Sequence, residues 1–345
     1  MPETHYAEVA VTGGAGFVGR HLVTALSLLS QKVTVVDHAP LPPGLAALPG
    51  VSYVRADLRD YGETLLALQG ADAVFHLAGN ASGTESVVNP RHDFHLNALG
   101  TCNVGNACLE LGVRRLVYLS SAIVYGTPRQ SPIREDHPTQ PFLPYGASKL
   151  SGELTLRSLH ATAGLPVVIG RSFVVYGPGE DPRRAGGEAS QFLRWHLNEQ
   201  PIPVVGDIDR KRRDFIHVED LCRALMTLAG RGADGETYNL ATGTAVSMRE
   251  LAEVVGTATG RPALLDADTS SLADSFTLLA DVTRLRALGF TPRVSLAEGL
   301  TALADLLGPF PEIPSARAVF RREPPARRRL TLTASVGAGE EARTC

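Results

Sequence analysis

The 345-residue sequence predicts an α/β fold, a doubly wound parallel sheet followed by a smaller α/β C-terminal domain. Apolar runs of strand length alternate with helical patterns through the first half, which is typical of a parallel sheet covered by helices on both faces. A glycine-rich turn, residues 13–19, joins the first strand to the first helix. From about Gly177 the sequence changes to shorter elements separated by Gly, Pro and charged residues. The predicted strands are Val9–Thr12, Val33–Asp37, Val51–Arg55, Ala73–Leu77, Arg115–Ser120 and Pro166–Arg171.

These patterns divide the chain into three parts. We expect residues 1–176 to form the sheet domain and residues 177–310 to form a region that is interwoven with the sheet edge and binds substrate. Residues 311–345 are rich in Arg, Pro and Ala and show no sustained periodicity, which indicates a disordered tail.

The glycine-rich turn predicts a dinucleotide site and hence a Rossmann-type domain. Gly14, Gly16 and Gly19 fit the spacing G-x-G-x-x-G, and Gly13 starts the alternative spacing G-x-x-G-x-x-G. Glycines permit the tight turn and let backbone N–H groups approach a pyrophosphate at the positive end of a helix. Asp37 ends the second strand, where a carboxylate binds the adenosine ribose hydroxyls. The cofactor residues predicted here are Gly13, Gly16, Phe17, Val18, Gly19 and Asp37.

Asp37 also favours NAD over NADP. A carboxylate at this position repels the 2′-phosphate of NADP unless an arginine neutralises it. The residues that follow, His38–Pro40, contain no arginine, although Arg20 or Arg55 could approach from elsewhere in the fold. We therefore expect NAD as the cofactor.

Composition and charge exclude several classes of protein. With 44% hydrophobic residues, the chain can bury a sizeable core, and its net charge of −3 argues against nucleic acid as a partner. No apolar run approaches the ~20 residues of a membrane span, and the N-terminus lacks a signal-peptide pattern. We therefore expect a cytoplasmic protein without a membrane partner. The cysteines show no metal-ligand spacing, which predicts free thiols and no metal site; they are Cys102, Cys108, Cys222 and Cys345.

A tyrosine and a lysine four residues apart form the predicted catalytic pair. Tyr145 and Lys149 follow Pro144 in a helical segment and therefore lie on one face of it. A tyrosine with a pKa near ~10 is a poor base at neutral pH, and an adjacent ammonium group favours its phenolate form. Ser120 and Ser121 end a preceding strand and can supply a hydroxyl to the same reacting oxygen.

Together these motifs resemble the extended short-chain dehydrogenase/reductase superfamily, and within it the NAD-dependent nucleotide-sugar epimerase/dehydratase branch. The resemblance runs from about Val9 to Leu307. The positions that carry it are 12–19, 56–58, 76–79, 97, 100–101, 120–126, 145–149, 171, 175–178, 213–220, 238–243 and 280–281. It implies catalytic roles for Ser121, Tyr145 and Lys149. The cofactor contacts that it implies are Asp57, Leu58, Leu77, Ala78, Gly79, Asn97, Tyr145 and Lys149, and the substrate contacts are Ser82, Ser121, Tyr145 and Arg213.

The residues after Ser121 bear on the reaction. Dehydratases of the family carry an Asp-Glu pair there and decarboxylases carry a Glu nearby, whereas this chain has Ala122 and Ile123. Without a carboxylate, abstraction of a proton from carbon lacks its usual base. The resemblance therefore implies an epimerase with a transient 4-keto sugar. Tyr145, as a phenolate held in place by Lys149, takes a proton from a sugar hydroxyl while hydride moves to NAD. Hydride then returns to the opposite face of the keto sugar.

Two departures from the family pattern concern the diphosphate of the expected UDP- or dTDP-sugar. Val174 stands where the family carries an Asn, and Ser271 stands where it carries an Arg. Charge-assisted phosphate contacts are strong, so these changes weaken the anion site. Arg213, together with Lys211–Arg212 and Arg183–Arg184, retains basic charge that can compensate.

Three alternatives stay open. The first is an NAD(P)-dependent oxidoreductase or ketoreductase on a non-nucleotide, secondary-metabolite substrate, which Val174 and Ser271 favour and Arg213 opposes. The second is a nucleotide-sugar dehydratase or decarboxylase, and the third is a nonenzymatic protein on the same fold. The resemblance also implies a homodimer through helices around Phe94–Leu111 and Gly146–Ala161.

Overall fold

The computed structural model describes residues 6–183, 187–270 and 274–313. Arg184, Ser271 and most of the predicted disordered tail, from residue 314 onwards, lie outside these residues. The strands are β1 Glu8–Thr12, β2 Lys32–Asp37, β3 Val51–Arg55, β4 Ala73–His76, β5 Arg115–Ser121, β6 Val167–Ser172, β7 Val174–Tyr176, β8 Ile202–Val205, β9 Arg212–His217, β10 Thr237–Leu240, β11 Ala245–Ser247, β12 Leu265–Asp268 and β13 Thr277–Leu278. The helices are α1 Phe17–Ser27, α2 Pro43–Ala46, α3 Tyr61–Leu68, α4 Gly83–Val88, α5 Pro90–Phe94, α6 Gly100–Glu110, α7 Pro144–Ala163, α8 Glu188–Leu197, α9 Val218–Arg231, α10 Met248–Thr259, α11 Thr283–Ala287 and α12 Leu296–Leu307.

A seven-stranded, wholly parallel sheet confirms the predicted doubly wound fold. Its strands pair in the order β3-β2-β1-β4-β5-β6-β10, so the direction of succession reverses between β1 and β4. All six predicted strands are present, with ends that differ by at most one residue. Ligands of such sheets bind beyond the C-terminal strand ends near this reversal.

Alternate residues of each central strand face two different helix layers. In β1, Val11 packs into an apolar cluster with α1 and α9, whereas Ala10 packs into a second cluster with α3, α6 and α7. Because successive side chains of a strand point to opposite faces, a sheet covered on both faces consists of almost continuous apolar runs. That is why the strands could be recognised as short apolar runs in the sequence.

The second half of the chain forms a smaller layer beside the sheet. Strand β9 pairs with β7, β11 and β13, β8 pairs with β12, and α8, α10 and α12 enclose a separate apolar core. Strand β10, which lies between these elements in the chain, returns to the main sheet and pairs with β6. The boundary after residue 176 stays a prediction.

Candidate active site

The glycine-rich turn between β1 and α1 leaves backbone N–H groups open to an anion. Gly13 has a φ of 71°, in the left-handed region that favours glycine. A Cβ on Gly19 would lie 2.1 Å from the carbonyl oxygen of Gly13, so the turn packs directly on the helix. Gly16 precedes α1 without a side-chain cap, and the first turn of α1 holds no acidic residue. The N–H groups at the start of α1, from Phe17 and Val18 onwards, therefore suit a pyrophosphate.

Asp37 is a buried carboxylate at the end of β2, 9% exposed. Its Oδ2 accepts a hydrogen bond from the N–H of Ala15 at 3.0 Å, and its Oδ1 accepts one from the N–H of Ala39 at 3.0 Å. Of the two arginines that could neutralise a 2′-phosphate, Arg55 is exposed opposite Asp37 on β3, and Arg20 donates from Nε to the Gly16 carbonyl at 3.3 Å. The preference for NAD over NADP stays a prediction that Asp37 supports.

The segment after β4 closes over the glycine turn. The N–H of Leu77 donates to the carbonyl of Thr12 at 3.1 Å. A Cβ on Gly13 would lie 2.7 Å from the backbone nitrogen of Ala78, so only glycine allows the two segments to approach this closely. Gly79 follows with a φ of 146°. Leu77, Ala78 and Gly79 thus border the predicted cofactor site.

Asp57 and Leu58 lie beyond β3, further along the same edge of the sheet. Asp57 is half-exposed and forms an ion pair with Arg59, whose hydrogen bonds lower the pKa of the carboxyl group. Leu58 is partly buried against the apolar cluster of α3 and α6, and its carbonyl accepts a hydrogen bond from Asn103 at 2.8 Å. Their role as adenine contacts stays a prediction.

The three predicted catalytic residues meet at the C-terminal end of β5. Ser121 is the last residue of β5, and its hydroxyl lies near enough to the phenol of Tyr145 to lower the pKa of that phenol. Pro144 occupies the first position of α7, where its missing N–H costs no helical hydrogen bond. Lys149, one turn later, is 5% exposed and donates from Nζ to the carbonyl of Leu119 at 3.0 Å. The end of β5 and the start of α7 thus carry a hydroxyl, a phenol and an ammonium group.

Burial governs the ionisation of this pair. It raises the pKa of Tyr145 to about 12, with the Ser121 hydrogen bond opposing the rise and the charge of Asp93 adding to it. Burial lowers the pKa of Lys149 to about 8, against the charges of Asp93 and Glu153. The expectation that Lys149 brings the pKa of Tyr145 below its usual value is therefore not met in this structure. Desolvation is the largest cause of the shift, and the ammonium group of Lys149 donates to a backbone carbonyl.

Sequence reasoning missed a buried carboxylate behind the pair. Asp93 in α5 is 1% exposed. It accepts hydrogen bonds from Ser148 Oγ at 2.5 Å, from Asn80 Nδ2 at 2.7 Å and from Asn97 Nδ2 at 3.1 Å. The available signal was its spacing, because Asp93 lies four residues before the predicted cofactor contact Asn97 and hence on the same helical face.

Asn97 leaves one polar atom open next to Lys149. Its Oδ1 is buried and has no hydrogen-bond partner among the described residues. A Cβ on Gly79 would lie 2.2 Å from this oxygen and 3.6 Å from the Nζ of Lys149. A buried polar atom without a partner is costly, so this opening suits a ligand that carries hydroxyl or amide groups. Together with the N-terminus of α1 and Asp37, it fits a dinucleotide.

A buried ion pair anchors α7 to the sheet. Glu153 is inaccessible to solvent, and Arg171 of β6 donates to it at 2.6 Å and 2.9 Å. Ser120 Oγ donates to the same carboxylate at 2.5 Å. Because β5, β6 and α7 are tied at this point, the neighbouring Ser121 is held at a fixed distance from the start of α7.

Ser82, a predicted substrate contact, caps a helix. Its Oγ accepts a hydrogen bond from the N–H of Glu85 at 3.1 Å and bonds Thr84 Oγ1 at 2.9 Å. The residue is 6% exposed. Its hydroxyl therefore stabilises the start of α4, and its contact with substrate stays a prediction.

Arg213, the predicted phosphate anchor, is already paired with carboxylates. It donates from Nη2 to Asp274 at 2.6 Å, and its Nε lies 3.3 Å from Glu188. Lys211 Nζ lies 2.6 Å from Asp274 and 3.5 Å from Glu188. Burial alone would raise the pKa of Glu188, but the charges of Arg213 and Lys211 outweigh it and lower that pKa. Two cations and two anions thus form a neutral cluster, which sequence reasoning missed because the acids are distant in the chain.

The other residues considered for the diphosphate are placed differently. Val174 lies on β7, half-buried against apolar residues. Arg183 pairs with Asp181 at 3.0 Å, and its side chain is exposed. Arg212 points away from Arg213 on the same strand and pairs with Glu250 at 2.9 Å.

Within residues 6–183, 187–270 and 274–313, no group of three or more His, Cys, Asp and Glu is arranged to hold a metal ion. No helix in this part of the chain combines the length and the apolar character needed to cross a membrane.

Known proteins resemble the chain over most of its length. The UDP-glucose 4-epimerase of Mycolicibacterium smegmatis is 34% identical over 305 residues, which cover 86% of this chain and 96% of the relative. The dTDP-glucose 4,6-dehydratase of an Actinoplanes species is 33% identical over 312 residues, which cover 85% and 95%. The crystal structure of the Thermotoga maritima UDP-glucose 4-epimerase with UDP-glucose aligns with a TM-score of 0.80 at 28% identity, covering 86% and 97%.

The model of the NAD-dependent epimerase/dehydratase family matches residues 9–241. This match includes the glycine turn, Asp37, Ser121, Tyr145 and Lys149, and it confirms the predicted cofactor, NAD, at the level of the family. The family, the fold and the similarity over more than four-fifths of the chain agree with one another, and the chain belongs to the NAD-dependent epimerase/dehydratase family.

Proposed function

We propose that the chain is an NAD-dependent epimerase that acts on a UDP- or dTDP-sugar through a transient 4-keto intermediate. The observation that carries this proposal is the cluster of Ser121, Tyr145 and Lys149 in a site where no carboxylate follows Ser121. Reversible oxidation of an alcohol needs one group that exchanges the hydroxyl proton and one that orients it. The cluster contains both.

Each residue of the cluster has a distinct part in the proposed reaction. NAD supplies the acceptor and the donor of hydride when it is bound. Tyr145 removes the proton from the sugar hydroxyl and later returns it. Ser121, whose hydroxyl lies near the phenol, donates a hydrogen bond to the same sugar oxygen and orients it. Lys149 binds the nicotinamide ribose, next to the open Oδ1 of Asn97, and stabilises the phenolate by charge.

The surroundings of Ser121 favour epimerisation over loss of water or carbon dioxide. Ala122 is 1% exposed, and Ile123 packs against the first turn of α7 at Gly146. The carboxylates that act electrostatically on Lys149 are Asp93 and Glu153, both buried and hydrogen-bonded to other side chains. Neither can take a proton from a carbon of the substrate without leaving its partners.

Incubation of the protein with a panel of UDP- and dTDP-sugars tests the reaction type. We expect product and substrate of equal mass, with NAD recycled and no added reductant. Tyr145→Phe should abolish turnover and leave NAD retention intact, because only the phenolic oxygen is removed. A product lighter by one water, or by carbon dioxide, would contradict epimerisation, which matters because the similar proteins include dehydratases.

A non-nucleotide substrate is the second candidate, and two observations favour it. Val174 offers no hydrogen bond to a diphosphate, and Arg213 is occupied by Asp274 and Glu188. Thermal unfolding in the presence of UDP or dTDP separates the candidates, since a ligand that binds the folded state raises the melting temperature. An unchanged melting temperature with both nucleotides, together with no turnover on the sugar panel, would favour the oxidoreductase.

We also infer a homodimer through the helices of residues 94–111 and 146–161. Exposed apolar side chains lie on these helices: Phe94 is 50% exposed, Leu99 40% and Leu154 57%. Covering an exposed apolar face of this kind with a second copy removes apolar surface from water and therefore lowers the free energy. Sedimentation of Leu154→Glu should show a monomer, whereas Leu264→Glu, a matched change at an exposed leucine outside these helices, should leave the dimer intact. A monomeric parent protein would refute the inference.

A cytoplasmic location is part of the proposal. The described cysteines, Cys102, Cys108 and Cys222, are free thiols. Free thiols are typical of a reducing compartment. Fractionation of cells that express the tagged chain would test this, and recovery with the membranes would contradict it.

A further inference from the structure

Lys149 is a buried cation, and no carboxylate among the described residues bonds it directly. It is 5% exposed, its Nζ donates to the neutral carbonyl of Leu119, and the same atom lies 5.0 Å from the centre of the Tyr118 ring. An isolated ammonium group in such surroundings loses much of its hydration energy. A nearby negative charge is needed if Lys149 is to stay protonated.

Two carboxylates act on Lys149, and one of them is already neutralised. Glu153 is held by the guanidinium group of Arg171 at 2.6 Å and 2.9 Å. Asp93 accepts hydrogen bonds only from neutral groups among the contacts described, the hydroxyl of Ser148 and the amides of Asn80 and Asn97. Its negative charge is therefore not cancelled by a direct partner.

We infer that Asp93 is the counter-charge of Lys149 and a positioning residue for the catalytic pair. This inference deepens the proposed function and rests on it for the role of Lys149 in catalysis. The contact runs through Ser148, whose Oγ donates to Asp93 at 2.5 Å and lies 3.0 Å from the backbone carbonyl of Tyr145. Through Ser148, Asp93 thus fixes the position of the first turn of α7. Its charge also raises the pKa of both Tyr145 and Lys149.

The remaining ionisable groups around the cluster do not replace this charge. His76 of β4 is buried between Thr12 and Thr101, and burial lowers its pKa to about 3, so it is neutral. Burial raises the pKa of Tyr118 of β5, which stays a neutral phenol. On α7, Glu153 is committed to Arg171. Among the residues that the structure describes, Asp93 is therefore the carboxylate that acts on Tyr145 and Lys149 without a cationic partner of its own.

Asp93→Asn tests the inference because it removes the charge and keeps the shape. Loss of a negative charge lowers the proton affinity of every group it faces. The charge of Asp93 raises the pKa of Tyr145 and of Lys149, so both groups should lose their protons at lower pH in the variant. In the NAD-loaded enzyme we expect both limbs of the pH–kcat profile to move to lower pH by roughly half a unit or more.

A second measurement does not depend on turnover. Tyrosinate absorbance is followed against pH in the NAD-loaded protein and in its Tyr145→Phe variant. The difference between the two curves isolates the titration of Tyr145. The same pair of curves is recorded for Asp93→Asn with and without Tyr145→Phe. The midpoint of the Tyr145 titration should lie at lower pH when Asp93 is Asn. If no nucleotide sugar is turned over, this titration still decides the role of Asp93.

Asp220→Asn is the matched control. Asp220 is also a wholly buried carboxylate on a helix, but it lies in α9 and is held by the guanidinium group of Arg223 and by the N–H groups of Arg293 and Val294. Asp220→Asn should lower the free energy of unfolding without moving either limb of the pH–kcat profile. Asp93→Asn could lower activity and yet leave the pH–kcat profile and the midpoint of the tyrosinate absorbance unchanged, as in the control. Asp93 would then have only a structural role, and the inference would be wrong. Should Asp93→Asn fail to fold, Asp93→Ser is neutral and smaller, and the same shift is expected.

Discussion

Asp274→Asn should strengthen the binding of UDP and dTDP. Asp274 occupies Arg213 and Lys211, each at 2.6 Å, and these are the cations that a diphosphate would need. The side chain of Asp274 is 46% exposed, so each pair contributes only about 0.5–1 kcal/mol after screening by solvent. Release of two such pairs amounts to about 1–2 kcal/mol, which corresponds to a dissociation constant roughly 5- to 30-fold lower.

Asp274 is a better target than Arg213 for this test. Removal of Arg213 would leave Glu188, whose side chain is 23% exposed, with less compensation for its charge. Arg213→Ala would therefore weaken nucleotide binding and destabilise the fold at once. Asp274→Asn keeps both cations and also removes the repulsion between a carboxylate and a phosphate.

Isothermal titration with UDP and dTDP gives the dissociation constants for the parent and the variant. Asp209→Asn is the matched control, because Asp209 forms an exposed pair with Arg249 at 2.7 Å outside the cluster. The control should leave the dissociation constants unchanged. Weaker or equal binding by Asp274→Asn would refute the idea that the diphosphate and Asp274 compete for the same cations.

Three further predictions concern the cofactor, the catalytic pair and stability. Asp37→Ala should narrow the preference for NAD over NADP in titrations of the apoprotein, and tighter NADP binding by the parent would overturn that preference. Lys149→Met should lower both kcat and the fraction of NAD retained through gel filtration; a change in one alone would separate its two proposed roles. Burial raises the pKa of Glu180 to about 7, so the folded state favours its protonated form. The associated stability is present below pH ~4.5 and is lost as pH rises through ~7. Glu180→Gln should therefore raise the melting temperature at pH 8 and not at pH 4. An equal effect at both pH values would contradict the raised pKa of Glu180.

The sequence predicted the central sheet because its evidence is local. Each strand of a sheet covered on both faces is an apolar run, and the turns and helices between them carry glycines and helical periodicity. The glycine turn, Asp37, Ser121 and the pair Tyr145 and Lys149 lie at strand ends or on one helical face, so their clustering follows from the same pattern.

The charges around the site could not be predicted in this way. The spacing of Tyr145 and Lys149 indicated a lowered pKa for the phenol, but spacing carries no information on desolvation, which raises it to about 12. Glu188 at the start of α8 and Asp274 before β13 meet Arg213 only through the tertiary fold. The expected free phosphate anchor is therefore part of a neutral cluster.

The neutral cluster has a consequence for where substrate affinity arises. A diphosphate that replaces Asp274 exchanges one anion for another, so the number of ion pairs on Arg213 and Lys211 changes little. Such an exchange contributes less binding free energy than pairing with two free cations would. In a nucleotide-sugar epimerase built this way, the base and the sugar must supply most of the affinity. The free nucleotide should then bind distinctly more weakly than the whole nucleotide sugar, because it lacks the contacts of the sugar with the site around Ser121 and Tyr145.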